Sequence, residues 1–199
     1  MSLAPAQVEG SVRRFRPETP MSDEEFLRFC KENEPMRCER DANGEIILMS
    51  PTWSETSSKN SYLTYQVTKF AEETGSGKPF DSSGAFILPD GSLRSPDAAW
   101  ISWQRWNALT DEHRRGVARV CPQFVIELRS ESDRLPDVQE TMGMWMANGT
   151  EVAWLIDPIE KAVTIYRPGE QPEHLAHPTS VQGTGPIAGF ELVMSRIWE

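Results

Sequence analysis

The sequence predicts an α/β (α+β) domain, a mixed central β-sheet flanked by helices and entered through an N-terminal β-hairpin. Three observations carry that prediction. Apolar runs of strand length alternate with stretches of helical period. Asn43-Gly44 and Asp90-Gly91, both strong hairpin dipeptides, stand between strand-like runs. The elements come in the order αββαβββ(α)βαββ, which suits one sheet with helices on its faces rather than a sandwich or a bundle.

Each element has its own signal. Residues 1–20 carry prolines and small residues with little periodicity, and read as a flexible arm; residues 21–199 read as the domain. In "SDEEFLRFCKEN", Ser22 followed three residues on by Glu25 is a capping box, and Phe26, Leu27, Phe29 and Cys30 make the apolar stripe of a short helix. "MRCERDANGEIILMSP" reads as the hairpin. "SETSSKNSYLTYQVTKFAEETGSG" is a long helix with apolar residues at roughly helical spacing, ended by Gly75. "PFDSSGAFILPDGSLRSPDAAWIS" gives two or three strands, and "WQRWNAL" a brief surface helix. A strand in "CPQFVIELRSESDRL" precedes a helix in "PDVQETMGMWMANG", opened near Pro136 and closed by Gly149. "EVAWLIDP" and "KAVTIYRP" form a strand pair around Pro158, and the irregular tail holds one short strand in "GFELVMSRIWE".

Composition excludes several classes. The 199 residues are 38% hydrophobic and 25% charged, ordinary for a globular domain, and contain no apolar run long enough to span a membrane. The N-terminus lacks the apolar segment of a signal peptide, so a cytoplasmic location is expected. Cys30, Cys38 and Cys121 are odd in number and have no CxxC spacing, against a disulfide framework or a zinc site. His174 and His177 lie in a proline-rich stretch without neighbouring Cys or carboxylates, and read as surface residues. A net charge of −10 argues against non-specific affinity for phosphate backbones. Two basic clusters, Arg13, Arg14 and Arg16, then His113, Arg114, Arg115 and Arg119, are read first as solvated surface.

The chemistry lies in carboxylates placed on strands. Glu127 interrupts the apolar run Phe124, Val125, Ile126, Leu128, and strand alternation sets it on one face with Val125 and Arg129. A buried charge is costly unless it is paired or binds a cation. Glu127 is therefore either half of a structural Glu–Arg pair or a catalytic group delivered to a cleft. Asp97 opens the strand "DAAWIS" after Pro96, and Glu39 sits on the first hairpin strand between Cys38 and Arg40. An Asp at one strand start and a Glu inside a neighbouring strand can hold Mg2+, which takes one or two carboxylates with water and phosphate oxygens. Phosphodiester cleavage then needs a further Lys or Arg for the developing charge.

Pro-Asp, a gap and Glu-x-Arg resembles the signature of the PD-(D/E)XK nucleases, with Arg129 where Lys is usual. More specifically, "GEIILMSPT", "RSPDAAWIS", "CPQFVIELRSESDRL", "GTEVAWLIDP" and "GPIAGFELV", in that order, resemble a bacterial restriction-endonuclease-like family known mainly as a domain of unknown function. The resemblance covers most of residues 22–198. It implies a restriction-endonuclease-like fold, a Mg2+-dependent (or Mn2+-dependent) endonuclease acting on DNA, and a homodimer. Residue by residue, it implies that Asp97, Glu127 and the Leu128 carbonyl ligate the metal. Glu39 would orient the attacking water or accept its proton, and Arg129 would steady the phosphate.

Two departures from the family pattern matter. The helix Lys one turn ahead of the aromatic residue is replaced by Thr141, which supplies no charge. The His that many relatives carry after "MSP" is missing, with Glu55 or Thr56 near its place. A second expectation follows: a catalytically silent member that binds nucleic acid or a protein. A third is a homodimeric scaffold whose carboxylates are buried polar pairs, with Arg129 pairing Glu127 or Glu39. Trp100, Trp103 and Trp106 beside the Asp97 strand could stack on bases but are read first as packing, and Trp145 and Trp154 as core.

Overall fold

The computed structural model describes residues 12–199. In chain order these form β1 (Arg13–Phe15), α1 (Asp23–Glu32), β2 (Arg37–Arg40), β3 (Ile46–Met49), α2 (Ser54–Thr74), β4 (Gly77–Phe80), β5 (Phe86–Ile87), β6 (Leu93–Arg94) and β7 (Ala98–Ser102). They continue through α3 (Trp103–Asn107), α4 (Asp111–Arg115), β8 (Phe124–Leu128), α5 (Leu135–Ala147), β9 (Val152–Asp157), β10 (Ala162–Tyr166), β11 (Glu173–Ala176), β12 (Ser180–Gln182) and β13 (Glu191–Val193).

The continuous apolar runs of β8 and β9 reflect burial on both faces. Phe124, Ile126, Trp154 and Ile156 pack to one side, with Leu63, Val67 and Phe70 of α2. Val125, Ala153 and Leu155 pack to the other, with Met142 and Trp145 of α5. Both strands belong to a six-stranded sheet of order β11-β10-β9-β8-β7-β4. Its neighbours are antiparallel except β8 and β9, a parallel pair that α5 connects. This is the mixed, helix-flanked sheet that the sequence predicts.

The predicted hairpin heads a second sheet, of order β1-β3-β2-β6-β5, rather than extending the first. Part of the residues read as an arm lies in it: Arg13–Phe15 pair antiparallel with β3, while residues 1–11 lie outside the described residues. The predicted two-residue turns are three-residue loops instead. The Asp41 N–H donates to the Glu45 carbonyl at 2.9 Å, and the Leu88 N–H donates to the Ser92 carbonyl at 2.8 Å. Gly44 and Gly91 alone take positive φ, 80° and 84°, so each loop is a turn followed by one left-handed residue. Asn43 and Asp90 are therefore not left-handed; the Asp41 and Asp90 carboxylates accept backbone N–H groups of their own loops.

Other elements follow their signals closely. Ser22 and Glu25 exchange the two capping-box bonds, at 3.3 and 2.8 Å. Gly75 ends α2 in the left-handed region. Not anticipated were α4, capped by Thr110, and the extra tail strands β11 and β12. The tail is well used, because Ile187, Phe190, Leu192, Met194 and Ile197 complete the core under α2. Trp100, Trp145 and Trp154 are buried, and Trp103 is exposed. His174 and His177 are exposed, as expected. Of the second basic cluster, Arg114 pairs with Asp111 and Arg119 with Asp23.

Arg40 ties α1 to the second sheet. Its buried guanidinium pairs with Asp23 and donates to the Met21 and Gly91 carbonyls, both at 3.1 Å, over the Phe26 ring. The Arg40 bond, first, holds the Asp23 carboxyl below its usual value. Arg40→Ala removes a buried charge partner and is expected to cost about 3 kcal/mol, lowering Tm by about 6–12 °C for a chain of this size. Arg119 also binds Asp23 but is half exposed, so Arg119→Ala should cost under about 1 kcal/mol. Thermal denaturation of both variants checks the difference.

Candidate functional site

Asp97 immediately precedes β7, and β7 pairs with β8 with Ala98 opposite Ile126. Carrying that antiparallel register one residue further sets Asp97 opposite Glu127. The two carboxylates thus come together where β7 and β8 part, as adjacent strands allow. The Leu128 N–H donates to Asp97 Oδ2 at 2.9 Å, which fixes Asp97 to the end of β8.

Each carboxylate is also held by one helix layer. Asn60 of α2 donates from Nδ2 to Asp97 Oδ1 at 2.8 Å. Trp145 of α5 donates from Nε1 to Glu127 Oε1 at 2.6 Å. The indole is fully buried, so the core of the domain positions this acid directly. Neither Asn60 nor Trp145 was identified from the sequence as a site residue. Trp145 was read as core, which it also is.

Glu39 arrives from the second sheet. Its Oε1 accepts from the Ser95 N–H at 3.0 Å and from Arg37 Nη2 at 3.3 Å, and its Oε2 accepts from Arg94 Nη1 at 3.1 Å. Ser95 lies two residues before Asp97, so Glu39 pins the segment that carries the metal-ligand candidate. Arg37 also reaches Asp97 Oδ1, at 3.9 Å. Arg37 was likewise missed, although strand alternation places it on the same face of β2 as Glu39.

Arg129 is elsewhere. Its Nη1 donates to Asp157 Oδ2 at 2.7 Å and its Nε to the Asp133 carbonyl at 3.3 Å. Asp157 is buried and also accepts the Ile159 and Glu160 N–H groups through Oδ1. The structural pair foreseen for Arg129 thus exists, but with Asp157 rather than Glu127 or Glu39. Thr141 lies one turn before Trp145 on α5, and its hydroxyl donates back to the Asp137 carbonyl at 3.2 Å. Thr56 lies one turn before Asn60 on α2. Thr56, one of the two residues near the place where the resemblance expects a His, therefore shares the helix face that meets Asp97.

Electrostatics explain what this cluster lacks. Burial, and then the neighbouring Asp97 charge, push the Glu127 carboxyl well above its usual value, against the Trp145 bond and Arg37. Burial raises Asp97 too, although Arg37, the Leu128 N–H and Asn60 oppose it. Burial also works against the Arg37 charge, but Glu39, Asp97 and Glu127 outweigh it and hold the guanidinium firmly protonated. Two like charges side by side with one loosely placed arginine leave a deficit of positive charge. Among the described residues no three His, Cys, Asp or Glu side chains converge. The donors at hand are two carboxylates and a strand-end carbonyl. That all-oxygen set fits Mg2+ or Mn2+, which complete their shell with water, better than zinc. The Asn60 Oδ1 atom, buried beside Asp97 without a hydrogen-bond partner, adds one more oxygen to this neighbourhood.

The raised Glu127 carboxyl makes a signed prediction. Because the folded-state value lies above the unfolded one, its contribution is fully present below the ordinary Glu range and is lost as pH rises through the raised value. Glu127→Gln keeps an acceptor for Trp145 and removes the charge. Without metal it should raise Tm at pH 8, at about 2–4 °C per kcal/mol recovered, and the gain should vanish near pH 4. Calorimetric scans across pH check this; an unchanged or lower Tm at pH 8 would show that the charge is already compensated.

Comparisons with known proteins agree with this architecture. No curated protein matches the chain. Among solved structures, a putative nuclease belonging to DUF820 from Anabaena variabilis ATCC 29413 is similar with a TM-score of 0.74 and 22% identity, covering 90% of this chain and 98% of that one. At that identity the likeness establishes the fold, and it is the nuclease-like one that the sequence resemblance implied. The family model Uma2, described as "Putative restriction endonuclease", matches residues 23–195 and so contains Glu39, Asp97, Glu127 and Arg129. The chain belongs to the Uma2 restriction-endonuclease-like family.

Proposed function

We propose that the chain is a metal-dependent endonuclease that hydrolyses DNA phosphodiester bonds, with Asp97, Glu127 and the Leu128 carbonyl as ligands of Mg2+ or Mn2+. The observation that carries this reading is the pair of half-buried carboxylates at the strand ends, set beside each other without full compensation. A fold that needed only an ion pair here would place a close cation between them, as it does for Arg129 and Asp157. When bound, the cation supplies Lewis acidity and a template for the phosphate. The chain's own residues do the rest. Asp97 is oriented by Leu128 N–H and Asn60, and Glu127 by the Trp145 indole. Glu39, beside them, is the acceptor for a proton from the attacking water. Arg129 keeps its place near the end of β8 and braces the strand through Asp157. That pairing weakens the phosphate-binding role that the family pattern suggested for it. Membership of a family described as "Putative restriction endonuclease" supports DNA as substrate, and the two-fold symmetry habit of duplex-cutting enzymes supports a homodimer. Among the described residues no helix is long and apolar enough to cross a membrane.

A second reading has its own support. Thr141 returns its hydroxyl to its own helix, so no cation occupies the usual Lys position. A silent nuclease-fold protein that binds nucleic acid or a protein partner is consistent with that. Supercoiled-plasmid nicking with Mg2+ and then Mn2+ separates the two. The active reading expects nicking by the wild type, a loss of at least about 100-fold in the Asp97→Asn/Glu127→Gln double variant, and an unchanged or higher Tm, because both amides keep an oxygen for the Leu128 N–H and the Trp145 indole. Equal behaviour of the two proteins would favour the silent reading. Thr141→Lys is expected to raise the nicking rate by about tenfold or more if the missing charge limits the reaction; no gain would place the limit elsewhere.

A further inference from the structure

Two arginines contact the site carboxylates, Arg37 and Arg94, and a third, Arg129, is paired a short way along β8; the three differ in how firmly they are held. A good guanidinium–carboxylate bond is about 2.7–2.9 Å long. Arg129 meets that standard with Asp157 at 2.7 Å, and Arg94 comes close with Glu39 at 3.1 Å. Arg37 does not: its Nη2 is 3.3 Å from Glu39 and its Nη1 3.9 Å from Asp97, and its Nε is buried with no partner. Arg94 also leaves its Nε unpartnered but touches Glu39 alone. Arg37 alone of the three lies in ion-pair range of Asp97, and it reaches the site from β2 on the same strand face as Glu39.

That looseness has a use. An arginine that bridges two carboxylates at long distance neutralises them without locking them. It stands where a divalent cation would compete for the same oxygens. Its planar fork also suits two oxygens of a phosphate. We propose that Arg37 is the resident counter-cation of Asp97 and Glu39 in the free chain. Once a divalent cation takes Asp97 and Glu127, Arg37 becomes the phosphate-binding charge that Thr141 and Arg129 do not provide. The proposal rests on the metal-dependent reading above. Arg37 acts in it by charge and geometry, since a guanidinium does not exchange its proton near neutral pH.

The test uses two affinities that should move in opposite directions. Mn2+ binding is measured by calorimetry, and Tb3+ binding by luminescence sensitised by Trp145, which already contacts Glu127. Binding of thymidine 3′,5′-bisphosphate, which has no diester to cleave, is measured at saturating Mn2+. Arg37→Met should bind Mn2+ about tenfold more tightly, because a competing charge is gone, and the bisphosphate about tenfold more weakly. Arg37→Lys should lie between wild type and Arg37→Met on both scales, and it keeps the comparison open should the Met variant not fold. Affinities that fall together, or a Mn2+ affinity no tighter than wild type, overturn the proposal while leaving the metal site standing. Wild-type protein that binds neither Mn2+ nor Tb3+, indistinguishable from Asp97→Asn, removes the metal reading and the proposal with it.

Discussion

The juxtaposition of Asp97 and Glu127 at the ends of β7 and β8 is the constraint around which the rest of the domain is arranged. Like charges in a half-buried setting repel, and each loses water without gaining a full partner. The fold holds them there anyway with neutral donors. A backbone N–H, an amide and an indole each give one bond, from three separate elements. Neutral donors orient a carboxylate without cancelling its charge, so the arrangement keeps its demand for a cation. Arg129 and Asp157, a short distance along the same strands, show the alternative: a close, buried ion pair with its acceptor fully used.

The two sheets divide the labour. The six-stranded sheet and its helices supply rigidity, with both faces covered and Trp145 locked in the core below Glu127. The five-stranded sheet supplies the charges that modulate the pair, Glu39 and Arg37 from β2 and Arg94 from β6. One of its links to the first sheet, beside Phe86 in the shared core and Asp90 bonded to Asn148, is the Ser95 N–H, two residues from Asp97. A displacement of the hairpin therefore bears directly on the metal-ligand candidates, through a hydrogen bond rather than through packing alone.

Much of this was legible in the residues. The buried position of Glu127 and its meeting with Asp97 follow from strand alternation and adjacency, which need only local pattern. The capping box at Ser22 and the end of α2 at Gly75 are local too. What stayed hidden depends on long-range pairing. That Arg129 serves Asp157 cannot be read from "ELR", because Asp157 is brought beside it by the parallel β8–β9 register. The split into two sheets was missed because hairpin signals specify a turn and not the neighbour of its outer strands. The turns themselves were placed correctly but given two residues instead of three, since "NG" and "DG" also serve as the last positions of a longer loop. Arg37 carried a readable sign, its spacing of two from Glu39, but nothing local tells which of several arginines faces a cleft.

The acids of the site divide by what their removal does to the fold, and this bears on how function can be separated from structure. Glu39 has three donors converging on its two oxygens, Arg37 from its own strand and the adjacent Arg94 and Ser95 from the segment leading to Asp97. Truncating it leaves Arg37, Arg94 and the Ser95 N–H without their acceptor, and a buried donor left unpaired costs about 1–3 kcal/mol. Loss of activity on changing Glu39 would therefore mix chemistry with a loosened joint between the sheets. Asp97 and Glu127 are placed against electrostatic preference, so neutral isosteres relieve repulsion rather than break a pair. Residues whose charge destabilises the fold, yet whose position is fixed by the core, are the ones at which a catalytic role can be read without that ambiguity. The site is best interrogated at the strand ends, with Glu39 treated as part of the frame that holds them.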